Sequence, residues 1–362
     1  MRHIAYYITP HGFGHAVRSL EVIRHLVAND DEFQVTLITD IPEFLVRQCV
    51  GKALPFRRRR LDVGLVQKDS VRFDLEATKR TLELMFLNHD VLIQEEISFF
   101  RKESIEGIVS DIAFLPFHAA SRHCIPAVGL SNFTWDWIYQ TYAGLDASWG
   151  PLIEWIREGY GHCTLFLQLP MHGDCSSCPN IQDVPLVARK AQKRPLETME
   201  LLQCDPSKRH YLISFADLDL KKEALRRLEE IDGAVFFFKH PLRFQFTNGR
   251  SLDTSDLSYP DVVAAMDGVI TKPGYGIVSD CLAHGTPIVY TDRGSFPEYG
   301  VLVRAIQRHL TNVYLPSQDL YSGSWNGALQ EIERLPRRTP AIRNDGAAVC
   351  AKLIKNALRE KP

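Results

Sequence analysis

Residues 6–26, YYITPHGFGHAVRSLEVIRHL, run from an apolar stretch through a glycine-containing turn into an amphipathic segment. The apolar stretch predicts a strand. Ala16, Leu20, Ile23 and Val27 recur at helical spacing and predict a helix from about Ala16. The turn between strand and helix holds two histidines and two glycines within five residues. A strand that feeds a helix through a short turn favours a parallel sheet covered by helices.

The same alternation of apolar runs and amphipathic segments continues along the chain. Strands are predicted at QVTLITD, GIVSD and PAVGLSNF, and one long helix is predicted over about 74–103. From about 170 to 207 the pattern gives way to segments rich in proline and charge. It then resumes with YLISF, AVFFFK, DGVIT and TPIVYTD, which predict a second strand–helix domain.

At 362 residues the chain is about twice the usual domain size, so two α/β domains are expected. Each is predicted to be doubly wound around a parallel sheet. The expected division is a first domain over 1–185, a linker over 186–207, a second domain over 208–343 and a C-terminal helix over 344–362, which could pack on either half.

The composition is that of an ordinary globular protein, with 45% hydrophobic and 24% charged residues. A formal net charge of −2 gives no general attraction for nucleic acid, so no such partner is expected. The run Arg57-Arg58-Arg59-Arg60 is most simply a solvated edge; an acidic acceptor or a weak contact with a membrane surface are the alternatives. The sequence shows no signal-peptide pattern and no membrane-spanning run, which predicts a cytoplasmic protein.

Eight cysteines are scattered over the chain and do not form a disulfide framework. Cys175 and Cys178 have metal-like spacing, and His162 and His172 could supplement them. No second pair of cysteines matches them, so a plain loop is favoured over a zinc site. Neither a bound metal nor a cofactor is expected.

The turn from His11 to His15 occupies the place where doubly wound sheets gather their ligands, the carboxyl ends of the strands. Gly12 and Gly14 can adopt conformations closed to other residues and let a ligand approach the backbone. The N–H groups at the start of the following helix favour negative charge. The third glycine of a dinucleotide-binding fingerprint is missing, and Arg18 stands near its place. The turn alone leaves a structural and a ligand-binding role equally open.

A histidine in this turn could act as a general base, because its unperturbed pKa lies near neutrality. His15 is the first candidate and His11 is its rival. Asp111 ends the strand GIVSD at the same edge of the sheet and could orient His15, as in a catalytic triad. The alternative is that Asp111 caps the helix that follows it.

A second set of candidate residues lies in MDGVITKPGYGIVSDCLAHGTPIVYTDRGSFPEYG, residues 266–300. A strand is predicted to end at Thr271, and KPGYG forms a turn before a helix whose N-terminus could hold a diphosphate. Lys272 would add positive charge there. Asp280 could accept hydrogen bonds from ribose hydroxyls, and Glu298 suits the hydroxyls of a sugar. The alternative is a plain strand–turn–helix unit.

Several motifs resemble the glycosyltransferase-like N-terminal region of plant-type L-arabinokinases, and more distantly the GT-B superfamily of glycosyltransferases. They are AYYITPHGFGHAVRSLEVIRHL, SNFTWDWIY, GHCTLFLQLP, DVPLVARK and KPGYGIVSDCL. The resemblance implies a GT-B fold, two Rossmann-like domains facing across a cleft, with the nucleotide sugar held mainly by the second and the acceptor by the first. The kinase half of an arabinokinase is not expected here, since no kinase phosphate loop is found.

The resemblance also implies roles for single residues. His15 corresponds to the base that deprotonates the acceptor, with Asp111 in support, and His11 and Arg18 fall to the acceptor or to a secondary role. The donor-binding residues are expected to be Gly14, Lys272, Gly274, Tyr275, Gly276, Ser279, Asp280 and Glu298. This sequence departs from the family pattern at two places. Relatives usually carry glutamate where Asp280 stands, and ISFADLD replaces the glycine-rich stretch that many of them have at the start of the second domain.

The function expected from the resemblance is inverting, metal-independent transfer of a hexosyl or pentosyl group from a nucleoside-diphosphate sugar to an acceptor hydroxyl. A UDP-sugar is the expected donor. The alternatives are a non-catalytic module that binds a sugar nucleotide, with a regulatory role, and a nucleotide-sugar 2-epimerase.

Overall fold

The computed structural model describes residues 1–28, 32–66, 73–144, 146–252 and 256–359. The chain forms two compact units. The first comprises the described parts of 1–67, 73–188 and 343–362, and the described parts of the second are 189–252 and 256–342.

The first unit is built on a parallel sheet. Its described strands are β1 (Arg2–Ile8), β2 (Phe33–Ile38), β3 (Phe56–Arg57), β4 (Gly107–Asp111), β5 (Ala127–Ser131), β6 (Leu165–Gln168) and β7 (Ile181–Asp183). They lie in the order β3-β2-β1-β4-β5-β6-β7. The build-up of the sheet therefore reverses direction between β1 and β4, which is the switch point where doubly wound sheets bind ligands. Continuous apolar burial of β1 is what a parallel strand covered on both faces requires.

Seven helices surround this sheet in the described residues up to 188. They are α1 (Phe13–Leu26), α2 (Glu43–Val50), α3 (Leu75–Leu87), α4 (His89–Glu103), α5 (Leu115–Arg122), α6 (Trp135–Ala143) and α7 (Gly150–Gly161). The helix predicted over 74–103 is two helices, α3 and α4. Asn88 separates them, and its side-chain amide donates to the Leu84 carbonyl at 2.7 Å. Such a local bond competes with continuation of the helix.

The second unit repeats the architecture. Its described strands are β8 (Arg209–Ser214), β9 (Ala234–Phe238), β10 (Gly249–Ser251), β11 (Gly268–Thr271), β12 (Ile288–Tyr290) and β13 (Asn312–Tyr314). They form a parallel sheet in the order β10-β9-β8-β11-β12-β13, with its switch point between β8 and β11. Its described helices are α8 (Pro195–Leu201), α9 (Lys222–Glu229), α10 (Tyr259–Ala265), α11 (Tyr275–His284), α12 (Glu298–His309), α13 (Ser317–Ser322) and α14 (Asn326–Arg334).

The boundary between the units differs from the expected linker over 186–207. The second unit already begins at Arg189, and α8 packs against α10. The backbone amides of Gln192 and Lys193 donate to one carboxylate oxygen of the buried Asp261, at 2.6 and 2.9 Å. These bonds tie the proline-rich and charged segment to the second unit, a link that composition alone does not reveal.

The last helix, α15 (Gly346–Arg359), belongs to the first unit, where it packs against α1 and β5. It buries Cys350, Ala351, Ile354 and Leu358. It packs closely over Gly107, where a Cβ would lie 2.8 Å from the end of the Leu358 side chain and would displace it. The sequence left the packing partner of this helix open, and the structure assigns it to the first unit.

Across the described residues, every helix is too short or too polar to cross a lipid bilayer.

Candidate active site

The first unit brings His15 and Asp111 together at the switch point of its sheet. β1 and β4 are adjacent parallel strands, and Ile8 is in register with Asp111. The turn after β1 leads into α1, which places His15 in the first turn of the helix. The His15 Nδ1 atom lies 2.8 Å from Asp111 Oδ1. The predicted pair is therefore present in the geometry required of a base and the carboxylate that orients it.

Asp111 is fully buried and accepts four hydrogen bonds. His15 Nδ1 and an Arg18 guanidinium nitrogen, Nη2, approach Oδ1 at 2.8 and 2.6 Å. Arg18 Nε and the Ser19 hydroxyl approach Oδ2 at 2.8 and 2.7 Å. Burial alone raises the pKa of the Asp111 carboxyl, but Arg18 and His15 outweigh it, and the net pKa lies far below its usual value. Asp111 is therefore a carboxylate that can only accept.

The hydrogens of Arg18 determine which nitrogen of His15 is basic. Arg18 Nη2 lies 2.9 Å from His15 Nδ1, but its two hydrogens point to Asp111 Oδ1 and to Ser131 Oγ at 2.9 Å. The third nitrogen, Nη1, donates to Asn132 Oδ1 at 2.6 Å. His15 Nδ1 therefore donates its own hydrogen to the carboxylate, and Nε2 is the basic nitrogen of the neutral ring.

Arg18 has a role that the sequence did not predict. It was expected among acceptor or secondary residues, but its side chain is only 2% exposed. Its guanidinium acts on the site through Asp111. The spacing of three residues from His15 on one helix contained this signal, because residues i and i+3 share a helix face. Arg18 also contacts Ser131 and Asn132, which lie at the carboxyl end of β5. These two residues are at the ligand-binding edge of the sheet, but they were not predicted as site residues.

A second histidine–aspartate pair involves the rival base. His11 Nε2 lies 3.2 Å from Oδ1 of the buried Asp62, and Trp135 Nε1 donates to the other oxygen at 3.0 Å. Gly64 makes room for this pair, since a Cβ there would lie 2.5 Å from the His11 ring. Burial raises the pKa of Asp62, but the charge and hydrogen bond of His11 outweigh it, so the net pKa is lowered. Asp62 and Gly64 were not predicted.

Aromatic rings connect the two histidines. His11 meets Trp135 edge-on with ring centroids 5.6 Å apart, and His15 meets Phe133 edge-on at 5.5 Å. Phe133 and Trp135 themselves meet at 5.2 Å. These rings come from the SNFTWDWIY motif, which begins at the end of β5. The motif thus holds both imidazoles in fixed orientations.

The glycines of the turn differ in their backbone demands. Gly12 has φ +94°, a conformation that favours glycine, and it directly precedes α1. Gly14, an expected donor-binding residue, is the second residue of α1 and is half-buried. The helix also begins three residues earlier than the predicted start at Ala16.

In the second unit, the turn KPGYG follows β11 and Gly274 precedes α11. The first turn of α11 contains no acidic residue, and its N-cap residue, Gly274, has no side chain that could cap the N–H groups. Lys272 and Gly276 are half-buried, and Tyr275 is buried in the first turn. Ser279 is 1% exposed, and its hydroxyl has no hydrogen-bond partner among the described residues. These features suit an anionic ligand at the start of the helix.

Two expected donor-binding carboxylates are engaged by arginines. The buried Asp280 forms an ion pair with Arg189. The buried Glu298 accepts from Arg293 Nη1 at 2.7 Å, and the same nitrogen donates to the Pro273 carbonyl in the KPGYG turn at 2.9 Å. Arg189 and Arg293 were not predicted. Binding of ribose hydroxyls by Asp280 and of sugar hydroxyls by Glu298 stays a prediction. Each carboxylate would have to bind the hydroxyls while it remains paired with its arginine.

The basic run at residues 57–60 lies in ion pairs with acidic residues. Arg57 pairs with Glu96 at 2.7 Å and Arg59 pairs with Glu95. Arg58 and Arg60 approach Asp40 at 3.6 and 3.1 Å. Arg58 and Arg60 are exposed, as at the solvated edge favoured from the sequence, whereas Arg57 and Arg59 are half-buried against the buried Glu96.

The cysteines of the DCSSCP motif are buried thiols. Burial raises the pKa of Cys175 to about 12. A hydrogen bond with Cys163, together with burial, raises the pKa of Cys178 further. High thiol pKa values oppose the thiolate that a metal needs. No group of three ligands that includes these cysteines occurs in the described part of the chain.

Comparison with known proteins identifies one relative by sequence and several by structure. No family model matches the sequence. L-arabinokinase of Arabidopsis thaliana is 30% identical over 340 residues, which cover 91% of this chain but 32% of that protein. The calicheamicin glycosyltransferase CalG4 matches with TM-score 0.67 at 16% identity, over 99% of both chains. Arabidopsis thaliana UGT89C1 in complex with UDP matches with TM-score 0.64 at 13% identity, over 99% of this chain and 100% of its own.

The sequence match and the structural matches agree with the expectations from the motifs. The chain spans about a third of the L-arabinokinase that it resembles. Its fold is shared over nearly the whole length of the glycosyltransferases named above. The resemblance to a region of L-arabinokinase is therefore confirmed, and the chain has the GT-B fold.

Proposed function

We propose that this chain is an inverting glycosyltransferase that moves a sugar from a nucleoside-diphosphate sugar, a UDP-sugar, to an acceptor hydroxyl. The observation that carries the proposal is the buried His15–Asp111 pair at the switch point of the first sheet. The hydrogen on Nδ1 is bound to Asp111, so the lone pair on Nε2 is the one that can take a proton from a hydroxyl.

The proposed reaction is a single displacement. His15 Nε2 takes the acceptor proton as the acceptor oxygen attacks the anomeric carbon. The bond from that carbon to the diphosphate oxygen breaks, and its electrons leave with the nucleoside diphosphate. Asp111 stabilises the imidazolium that forms, as the carboxylate of a triad does.

We propose that the nucleotide of the donor binds to the second unit. The N–H groups at the start of α11 and the ammonium of Lys272 would stabilise the leaving diphosphate, so this step requires no metal. UGT89C1, which shares the fold, is known in complex with UDP and with UDP-L-rhamnose. This supports a uridine nucleotide as the first donor to test.

Arg293 would hold the donor turn in place. It bonds both the Pro273 carbonyl of the turn and the Glu298 carboxylate at the start of α12. Replacing Arg293 by alanine removes both bonds and leaves a buried carboxylate without this partner. We expect weaker nucleotide binding in calorimetry, with turnover at saturating donor less affected.

The test begins with a thermal-shift panel of nucleotide sugars, since a ligand that binds only the folded state raises the melting temperature. The best donor then enters an assay for release of nucleoside diphosphate, in which water can replace an unknown acceptor. His15→Ala should lower turnover by roughly 10²–10⁴-fold, the usual effect of a general base, with little change in nucleotide affinity. His11→Ala is the matched control.

Two outcomes would contradict the assignment. If His11→Ala abolishes turnover while His15→Ala is fully active, the base is His11 with Asp62. If neither substitution changes turnover, the catalytic interpretation of the turn fails.

A non-catalytic sugar-nucleotide-binding module is the second candidate. The observation in its favour is that arginines already engage Asp280 and Glu298, two carboxylates expected to bind the donor. A protein of this kind would show a thermal shift with a nucleotide sugar, but no release of nucleoside diphosphate above the rate of the His15→Ala variant.

A further inference from the structure

Three possible metal ligands meet on the first unit, away from the residues assigned to transfer. One ring nitrogen of His118, one of His162 and a carboxylate oxygen of Glu158 all lie within 4.8 Å of one another. His118 belongs to α5, Glu158 to the last turn of α7, and His162 directly follows α7. Two helices distant in sequence therefore contribute to one cluster.

The cluster combines one fixed ligand with two adjustable ones. The His118 residue is 5% exposed, and its Nε2 atom lies 3.1 Å from the Trp155 carbonyl. When Nε2 donates to this carbonyl, Nδ1 is the nitrogen left for a metal, and such a bond is the usual way in which a ligand histidine is oriented. Gly159 leaves space for the ring, since a Cβ there would lie 2.9 Å from Nε2. Glu158 and His162 are exposed and can adjust.

The spacing and the charges suit a cation. Glu158 and His162 are four residues apart, so they lie on one face at the end of α7. The carboxyl end of a helix carries partial negative charge. Arg122 places a positive charge near His118, which opposes cation binding. Its guanidinium, however, donates to Asp90 at 2.9 Å, and the negative charge of Glu158 favours the cation.

The distances between the ligand atoms also suit zinc. Zinc bonds to nitrogen and oxygen are about 2.1 Å long, so tetrahedral ligand atoms lie about 3.4 Å apart. The ligand atoms here lie within 4.8 Å of one another, and rotation of the exposed Glu158 and His162 side chains can bring them to the shorter spacing.

We propose that His118, Glu158 and His162 bind one divalent zinc ion that joins α5 to α7, with water completing the tetrahedron. Two imidazoles and one carboxylate favour Zn²⁺ over Mg²⁺, which prefers oxygen ligands and bound water. No bound metal is expected from the sequence, in which His162 is a candidate ligand only together with Cys175 and Cys178. The site supports α5, the helix that follows Asp111, and takes no part in the proposed transfer reaction.

Zinc titration of the full chain after chelator treatment tests the proposal. Calorimetry should show one equivalent of Zn²⁺ bound and a rise in melting temperature, with no rise from Mg²⁺. Glu158→Ala and His162→Ala should each weaken zinc binding by more than about 10-fold, since even outer partners of metal ligands are worth 10–100-fold. Both residues are exposed, so these variants should fold.

Two controls separate this site from others. His172→Ala removes another exposed histidine and should bind zinc like the wild type. Cys178→Ser tests the cysteine motif and should also retain binding. The Co²⁺-loaded protein should lack a thiolate-to-metal charge-transfer band. The proposal is overturned if the wild type binds no zinc, if His162→Ala binds zinc as tightly as the wild type, or if Cys178→Ser alone abolishes binding.

Discussion

Replacing Asp111 by asparagine should destabilise the first unit as well as impair turnover. Four donors converge on the two carboxylate oxygens, from His15, twice from Arg18, and from Ser19. An asparagine must direct its NH₂ group at two of these donors. The milder choice is the Oδ2 position, where the Ser19 hydroxyl can turn to accept. Arg18 Nε–H then still faces an N–H, and its buried charge loses its counter-ion.

The expected magnitude follows from that loss. Removing one partner of a buried ion pair costs about 3–5 kcal/mol, because the other charge stays buried without compensation. Turnover should fall too, since a neutral amide cannot stabilise the imidazolium of His15 as a carboxylate does. His15→Ala should reduce turnover without a comparable loss of stability, since Arg18 keeps its counter-ion.

Urea unfolding followed by tryptophan fluorescence measures this effect. Of five tryptophans, Trp325 alone falls within the second unit. All variants should therefore carry Trp325→Phe, so that fluorescence reports on the first unit. The matched control is Asp90→Asn, which breaks an exposed pair with Arg122 at 2.9 Å and should change stability little. A loss below about 1 kcal/mol for Asp111→Asn would refute the argument from buried charge.

Three further predictions concern pH, the donor turn and the thiols. Because the folded pKa of Asp111 is depressed, its stabilisation is present above the unfolded value of about 3.9 and is lost as pH falls below it; the stability gap between wild type and Asp111→Asn should shrink between pH 7 and pH 3. Asp280→Ala should weaken nucleotide binding by about 1–3 kcal/mol in calorimetry, and an equal loss in Arg189→Ala would show that the ion pair, not a direct contact, is responsible. A thiol reagent should modify the exposed Cys124 in the native protein, and Cys175 and Cys178 only after unfolding; rapid native modification of all three would contradict their burial.

The sequence predicted the residues that strand ends bring together. His15 and Asp111 follow adjacent parallel strands, and the alternation of strands and helices is sufficient to place them at one edge. Their third partner, Arg18, could have been placed by helix spacing, because it follows His15 by three residues, but it was expected only in an acceptor or secondary role. Ser131 ends β5 and follows from the same strand-end argument.

The remaining features depend on contacts between distant segments. Asp62 and Gly64 meet His11 through a segment that forms neither helix nor strand, although its sequence, LDVGLV, alternates like a strand. Arg293 lies in the loop between β12 and α12, and its contact with the KPGYG turn depends on how that loop folds. The His118 cluster depends on how α5 packs against α7, and neither helix carries a metal motif of its own.

The assignment of α15 to the first unit has a consequence for folding during synthesis. The first 188 residues leave the ribosome early, yet the surface of α1 and β5 that α15 covers must wait for residues 343–359. The intervening 189–342 can complete their own sheet before that helix is made. The usual order of domain folding, N-terminal first, is therefore reversed, and a chain stopped after residue 342 should combine a finished second unit with a first unit prone to aggregation.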